Sequence, residues 1–173
     1  LQDRNYLESI LKSCNNVRSK KGGEKPYLLK LSPDALDDEI RGTISIAQRL
    51  GIDGIVATNT TIKRPIPLTT QSRKAFSSEG GLSGRPLQSR SLEVINTAYD
   101  ETNGKIPIVG VGGIDSKDSA WEAIISGASL LQLYSALVFN GPTIVSSIVK
   151  GLKGRVRESG FSSISEAVGY KHI

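Results

Sequence analysis

Two rhythms alternate along this chain. Short unbroken apolar runs, the mark of strands buried in a parallel sheet, are separated by stretches in which apolar residues return every three or four positions, as on one face of a helix. Residues 1–20 predict a helix with Leu7, Ile10, Leu11 and Cys14 on one face. It opens without a start signal, as though something precedes it. A polar loop over 20–25 leads into a strand over 26–31, which carries one charge, Lys30, near its C-terminal end. Ser32-Pro33-Asp34 breaks that strand, with Ser32 read as a turn residue. Leu36, Ile40, Ile44, Ala47 and Leu50 then recur at helical spacing. Asp37, Asp38 and Glu39 sit in the first turns and Arg49 in the last, as the helix dipole favours, and Gly51 stops the helix. A second strand over 54–58 runs into Asn59-Thr60-Thr61. Residues 61–86 show no period, and a loop of that length inside a compact domain is usually functional or disordered. Residues 87–102 predict a helix with Leu92, Ile95 and Tyr99 on one face, ended by Asn103 and Gly104. A third strand begins at Pro107 and runs into Gly112 and Gly113. Trp121, Ile124 and Ile125 mark the next helix, with Ser116 as its N-cap and Gly127 as its stop. A fourth strand over 129–133 leads to Tyr134 and Ser135. Pro142 opens a last long helix, with Val145, Ile148, Val149, Leu152 and Val156 as its buried stripe and Gly160 as its end. Residues 162–168 add one short helix.

Strands alternating with helices imply a parallel sheet with right-handed crossovers. Two α/β architectures satisfy that order, an open doubly wound sheet and a closed (β/α)8 TIM barrel. The polar residues favour the barrel. Lys30, the segment from Thr58 to Thr60, Gly112 with Gly113, and Tyr134 with Ser135 all fall at C-terminal strand ends, where a barrel keeps its active site. Four strand-helix units make half a barrel, and a whole one takes about 250 residues. Residues 1–173 thus read as the C-terminal half of a single barrel domain, supplying roughly its last four units, with the N-terminal half absent.

Composition narrows the chemistry. With an aromatic share of only 5%, the core must be built on Ile, Leu and Val. The net charge of +5 comes from scattered Lys and Arg, so it says little about nucleic acid; a basic face that attracts phosphorylated or carboxylate ligands accounts for it equally well. Cys14 is the single cysteine and His172 the single histidine, which leaves no disulfide framework and argues against zinc or histidine catalysis. No apolar run reaches the eighteen or so residues of a membrane span. The stretch Pro107-Ile108-Val109-Gly110-Val111-Gly112-Gly113 is a strand feeding a glycine turn feeding a helix start. Such a turn either cradles a phosphate on free backbone N–H groups or simply packs tightly.

Five blocks together resemble one family, the quinone-dependent, membrane-associated (class 2) dihydroorotate dehydrogenases. They are Leu29-Lys30-Leu31-Ser32-Pro33-Asp34; Ala57-Thr58-Asn59-Thr60-Thr61; Gly80-Gly81-Leu82-Ser83-Gly84-Arg85-Pro86-Leu87; Ile108-Val109-Gly110-Val111-Gly112-Gly113-Ile114, continuing to Gly127 and Ala128; and Gln132-Leu133-Tyr134-Ser135. The resemblance covers nearly the whole chain from Lys25 onward. It implies an FMN enzyme of pyrimidine biosynthesis that oxidises dihydroorotate to orotate and passes electrons to ubiquinone, with no metal. On that resemblance Lys30 stands beside the flavin ring, where a cation stabilises the anionic reduced form, and Thr58 also contacts the flavin. Asn59 and Thr60 hydrogen-bond the orotate ring. Ser83, Gly84, Gly112, Gly113, Tyr134 and Ser135 ring the FMN phosphate and ribityl chain, and many relatives carry threonine at Ser135.

One part of the family pattern is missing. Its general base is a serine in an asparagine-rich motif on an earlier strand, and nothing before Lys25 matches it. No catalytic residue is therefore assigned within this chain; Ser32, Ser78 and Ser116 read as turn and cap residues, and the chain alone is expected to be inactive. The resemblance also places membrane association in the missing N-terminal part, at a mitochondrial inner membrane or, alternatively, a bacterial one. Two other readings stand beside it: a non-flavin phosphate-binding barrel isomerase or synthase, and a basic binding module.

Overall fold

The computed structural model describes residues 4–22, 25–66, 70–71, 76–77 and 79–172. The order is α1 (Arg4–Lys20), β1 (Leu28–Leu31), α2 (Asp37–Arg49), β2 (Gly54–Ala57), a 3-10 turn (Arg85–Leu87), α3 (Gln88–Thr102), β3 (Ile108–Val111), α4 (Lys117–Ile125), β4 (Leu130–Gln132), α5 (Ser135–Asn140), α6 (Thr143–Glu158), α7 (Ile164–Ala167) and a closing 3-10 turn (Tyr170–His172). The four strands are parallel and stand in chain order, β1-β2-β3-β4, with Leu31 opposite Ala57, Ala57 opposite Gly110 and Val111 opposite Gln132.

That register separates the two faces of the sheet. Leu29, Leu31, Ile55, Ala57 and Ile108 share one face and are buried in a single core with Ile40 and Ile44 of α2, Val94, Ile95 and Ala98 of α3, Ala120 and Ala123 of α4, and Ile144 and Ile148 of α6. Leu28, Lys30, Val56, Val109, Val111, Leu130 and Gln132 share the other face; Val109 is buried and Val56 and Val111 are half-buried, while the other four are exposed. A doubly wound sheet covers both faces with helices. Here the helices lie on one face in the sequence α1, α2, α3, α4, α6, each against the next. Consecutive strand order and one-sided helices are the arrangement of four units of a (β/α)8 barrel, with Lys30 on the inner side.

Local sequence chemistry explains the element ends. Leu36 precedes α2, and its N–H donates to the Glu39 carboxylate at 2.9 Å, so the acidic first turn closes the helix start. Ser116 does cap α4, its Oγ accepting from the Ser119 N–H at 3.2 Å. Ser32 acts as the expected turn residue, its Oγ accepting from the Asp34 N–H at 3.3 Å. Ser78 lies outside the described residues. Helix α1 is fastened at the N-terminal side of the sheet. Arg18 pairs with Asp53 at 2.9 Å, Asp53 also accepts from the Tyr27 N–H at 2.9 Å, and the Asn15 amide donates to the Leu50 carbonyl at 2.6 Å.

Three expectations are corrected. Cys14 is exposed, because the buried face of α1 runs through Leu7 and Leu11 and turns away before position 14. The buried stripe of α6 runs through Ile144 and Ile148; Val145 and Val149, one position further round, are each 46% exposed. In α2 the stripe starts at Ile40, since Leu36 precedes the helix and is 70% exposed.

Candidate functional site

The C-terminal ends of all four strands open into one groove of about 1210 Å³. All ten residues expected to bind cofactor or substrate line it: Lys30 after β1, Thr58, Asn59 and Thr60 after β2, Ser83 and Gly84 from the long loop, Gly112 and Gly113 after β3, and Tyr134 and Ser135 after β4.

At the β1 and β2 side the polar groups are uncommitted. Lys30 is exposed, and among the described residues no acidic side chain pairs with it. The Asn59 side-chain amide and the Thr60 hydroxyl likewise have no protein partner there. Their backbone is firmly held: the Asn59 N–H donates to the Leu31 carbonyl at 2.8 Å and the Thr58 N–H to the Val111 carbonyl at 2.8 Å. Thr58 itself is buried, and its hydroxyl donates to the Asn59 carbonyl at 2.9 Å, so of this triplet only Asn59 and Thr60 present free side-chain donors and acceptors to the groove. An amide that can donate and accept, a hydroxyl and a cation suit a planar ligand with amide and carboxylate edges.

The opposite side offers backbone. The N–H groups of Gly112, Gly113 and Ile114 and those of Tyr134, Ser135 and Ala136 have no acceptor among the described residues. Gly113, Ile114 and Ala136 are also buried, and a buried N–H without a partner is rare because it costs much of a hydrogen bond. Six amides without an acceptor, three of them in buried residues, come from two adjacent strand-to-helix turns, and such a set fits a phosphate.

The glycines serve that set of amides indirectly. A Cβ on Gly113 would lie 2.8 Å from the Gln88 Cα, and one on Gly112 would lie 2.9 Å from the Ser91 Cβ. Both glycines therefore let the turn press against the start of α3. The same helix start reaches the end of β3, where the buried Ser91 hydroxyl donates to the Val111 carbonyl at 2.8 Å, and the loop after β1, where Arg90 donates to the carbonyls of Pro33 and Ala35 at 2.9 Å each.

The long loop is closed onto the site at three points. Thr61 and Leu82 exchange backbone hydrogen bonds of 3.1 and 2.7 Å. The hydroxyls of Ser83 and Ser135 stand 2.7 Å apart. Arg85 pairs with Asp115 in the turn after β3; hydrogen bonding by Asp115, then its charge, holds the guanidinium above its ordinary pKa. Sequence reasoning missed the Arg85 and Asp115 pair, although both lie inside quoted motifs, because nothing local couples residues thirty positions apart. It also missed α5, whose Val138 and Phe139 line the groove beside Tyr134 and are 72% and 85% exposed. Six residues are too few to display a helical period.

Comparison with known proteins gives this geometry a family. Residues 1–156 match the family described as dihydroorotate dehydrogenase. The chain is 45% identical to the dihydroorotate dehydrogenase (quinone) of Rippkaea orientalis, over 99% of this chain and 46% of that protein. It is 41% identical to the mitochondrial dihydroorotate dehydrogenase (quinone) of Mus musculus, over 99% of this chain and 43% of that one. The crystal structure of the Eimeria tenella enzyme in complex with ferulenol superimposes with a TM-score of 0.91 at 29% identity, covering 99% of this chain and 50% of the other. The chain thus spans about half the length of the relatives it matches. These matches set aside the isomerase or synthase barrel and the basic binding module. The family match over most of the chain and identities of 41% and 45% to these relatives show that the chain belongs to the dihydroorotate dehydrogenase family.

Proposed function

We propose that the protein containing this chain oxidises dihydroorotate to orotate on a bound FMN and passes the electrons to ubiquinone, a step of pyrimidine biosynthesis. The observation that carries the reading is the division of one groove into two ends, a nest of orphan amides and a set of uncommitted side chains. FMN, when bound, supplies the redox chemistry by accepting the two electrons released as the substrate's carbon–carbon single bond becomes double.

In this reading the amides of Gly112, Gly113, Tyr134 and Ser135 hold the phosphate, with Ser83 and Gly84 closing over the ribityl chain. Thr58 backs the flavin ring. Lys30 is a positive charge near that ring, with no acidic neighbour to neutralise it, and so favours the ring's reduced, anionic form. Asn59 and Thr60 bind and orient the pyrimidine ring of the substrate. The proton acceptor is a serine outside residues 1–173, in the N-terminal half of the barrel that this chain completes.

A quinone acceptor places the whole protein at a membrane, the mitochondrial inner membrane in a eukaryote or the inner membrane of a bacterium. The matched relatives are named for quinone, and that of Mus musculus as mitochondrial. Among the described residues no helix is long and apolar enough to cross a membrane.

The test is the absorption spectrum of the purified full-length protein. Flavin bands that bleach anaerobically on addition of dihydroorotate and recover on addition of a ubiquinone analogue are expected. A colourless protein that takes up no FMN on reconstitution overturns the proposal.

A further inference from the structure

Asp34 does not line the groove, yet both of its carboxylate oxygens are committed to the loop that does. The Thr61 hydroxyl donates to Oδ1, and the Ile62 N–H donates to Oδ2 at 2.9 Å. The Lys63 N–H in turn donates to the Thr61 Oγ1 at 3.0 Å. No cation pairs with Asp34 among the described residues, so the carboxylate is satisfied by two neutral donors from a single loop. Thr61 is 7% exposed and directly follows Thr60, and its backbone is paired on both sides with Leu82. Gly81 in turn packs on Thr60 so closely that a Cβ there would fall 1.9 Å from the Thr60 Oγ1. On the other side, the Asn59 N–H is held by the Leu31 carbonyl. Asn59 and Thr60 are therefore suspended between two anchors, Leu31 and Asp34, that both belong to the β1 unit carrying Lys30.

We propose that Asp34 is a positioning residue for the substrate: acting through Thr61, it fixes where Asn59 and Thr60 stand relative to Lys30. This rests on the dihydroorotate reading above and adds a residue to it. A carboxylate is specifically suited to the task. Both its oxygens accept, whereas an asparagine in its place would either turn its NH2 against the Ile62 N–H or turn it to Thr61 Oγ1 and leave the Thr61 hydroxyl proton without its acceptor. Losing one charge-assisted hydrogen bond would let the Asn59 and Thr60 segment relax, while the phosphate nest, built on other strands, stays intact.

The experiment uses the full-length holoenzyme with Asp34→Asn, Thr61→Val, the double variant and Thr61→Ser. Orotate binding is read from its perturbation of the flavin absorption, alongside KM and kcat for dihydroorotate and the FMN content. Each of the first two variants should weaken orotate binding and raise KM by about tenfold, with FMN content unchanged and kcat affected less. The double variant should be no worse than the weaker single one, since both remove the same link. Thr61→Ser, which keeps the hydroxyl, should bind orotate as the unaltered enzyme does. If Asp34→Asn fails to fold, Thr61→Val carries the test alone. Unchanged orotate binding in Thr61→Val, or loss of FMN in parallel with orotate, overturns the role of Asp34. An unaltered enzyme that binds FMN but not orotate refutes the dihydroorotate reading instead.

Discussion

Replacing Gly113 by Ala tests how the phosphate nest is built. Gly113 has φ +71°, a region that costs an L-residue about 1–2 kcal/mol. Its new Cβ would also lie 2.4 Å from the Gln88 Cβ, 2.8 Å from the Gln88 Cα and 2.9 Å from the Gln88 nitrogen, and two of those three atoms are backbone that no rotamer change can move. Forcing such an overlap costs about 1–3 kcal/mol more. The sum is roughly 2–5 kcal/mol, met either by loss of stability or by lifting the turn off α3 and out of register with the ligand. Gly51→Ala is the control. It has nearly the same φ, +75°, but nothing within 4 Å of the added carbon, so only the backbone cost of about 1–2 kcal/mol applies. In the full-length protein, FMN dissociation followed by flavin fluorescence and unfolding followed in urea should separate the two. Gly113→Ala should release FMN at least tenfold more readily, while Gly51→Ala should lose a little stability and keep its flavin. Equal FMN retention in both would refute the claim that contact with Gln88 shapes the nest.

The remaining predictions concern other links. Asn59→Ala should raise KM for dihydroorotate about tenfold with FMN still bound, through loss of neutral hydrogen bonds worth about 0.5–1.5 kcal/mol each; unchanged steady-state kinetics would remove Asn59 from substrate binding. Ser116→Ala should lower stability by about 1 kcal/mol through loss of the α4 cap, read as a shift of the urea midpoint at constant slope. The Tyr27 N–H, and after it Arg18, hold the Asp53 carboxyl below its ordinary pKa. Its stabilisation should thus be fully present above about pH 4, the unfolded value, and fade as pH falls through the lower folded one. The stabilities of the unaltered protein and of Asp53→Asn should therefore converge on acidification, and a constant gap down to strongly acidic pH would contradict the assignment.

The parts of this architecture that depend on near neighbours were legible in the sequence. Strand ends, the Ser116 cap and the positions of eight of the ten groove residues follow from runs of apolar residues and the polar or glycine residues that end them; Ser83 and Gly84, in the loop without a period, came only from the family resemblance. Faces of helices were less so, because Val145 and Ile144 are equally apolar and only the packed neighbours decide which turns inward. Links made across long separations were not legible at all. Asp34 reads locally as part of a turn, and its partner Thr61 lies 27 residues away. The choice between the two α/β architectures rested on where polar residues fell; the structure supports it by a different route, the consecutive strand order and the chain of helices packed each against the next on one face.

The start of α3 touches both ends of the groove at once. Gln88 backs the turn of Gly113, Ser91 holds the last carbonyl of β3, and Arg90 holds two carbonyls after β1, all within one helical turn. In the proposed reading this turn is a fixed datum from which the span between the phosphate and redox ends is measured. The loop that precedes it, residues 61–84, can then change length or sequence among relatives without altering that span, so long as Thr61, Leu82 and Ser83 keep their places. Variation in substrate access can be explored in the loop, while the spacing the chemistry depends on is inherited from the helix.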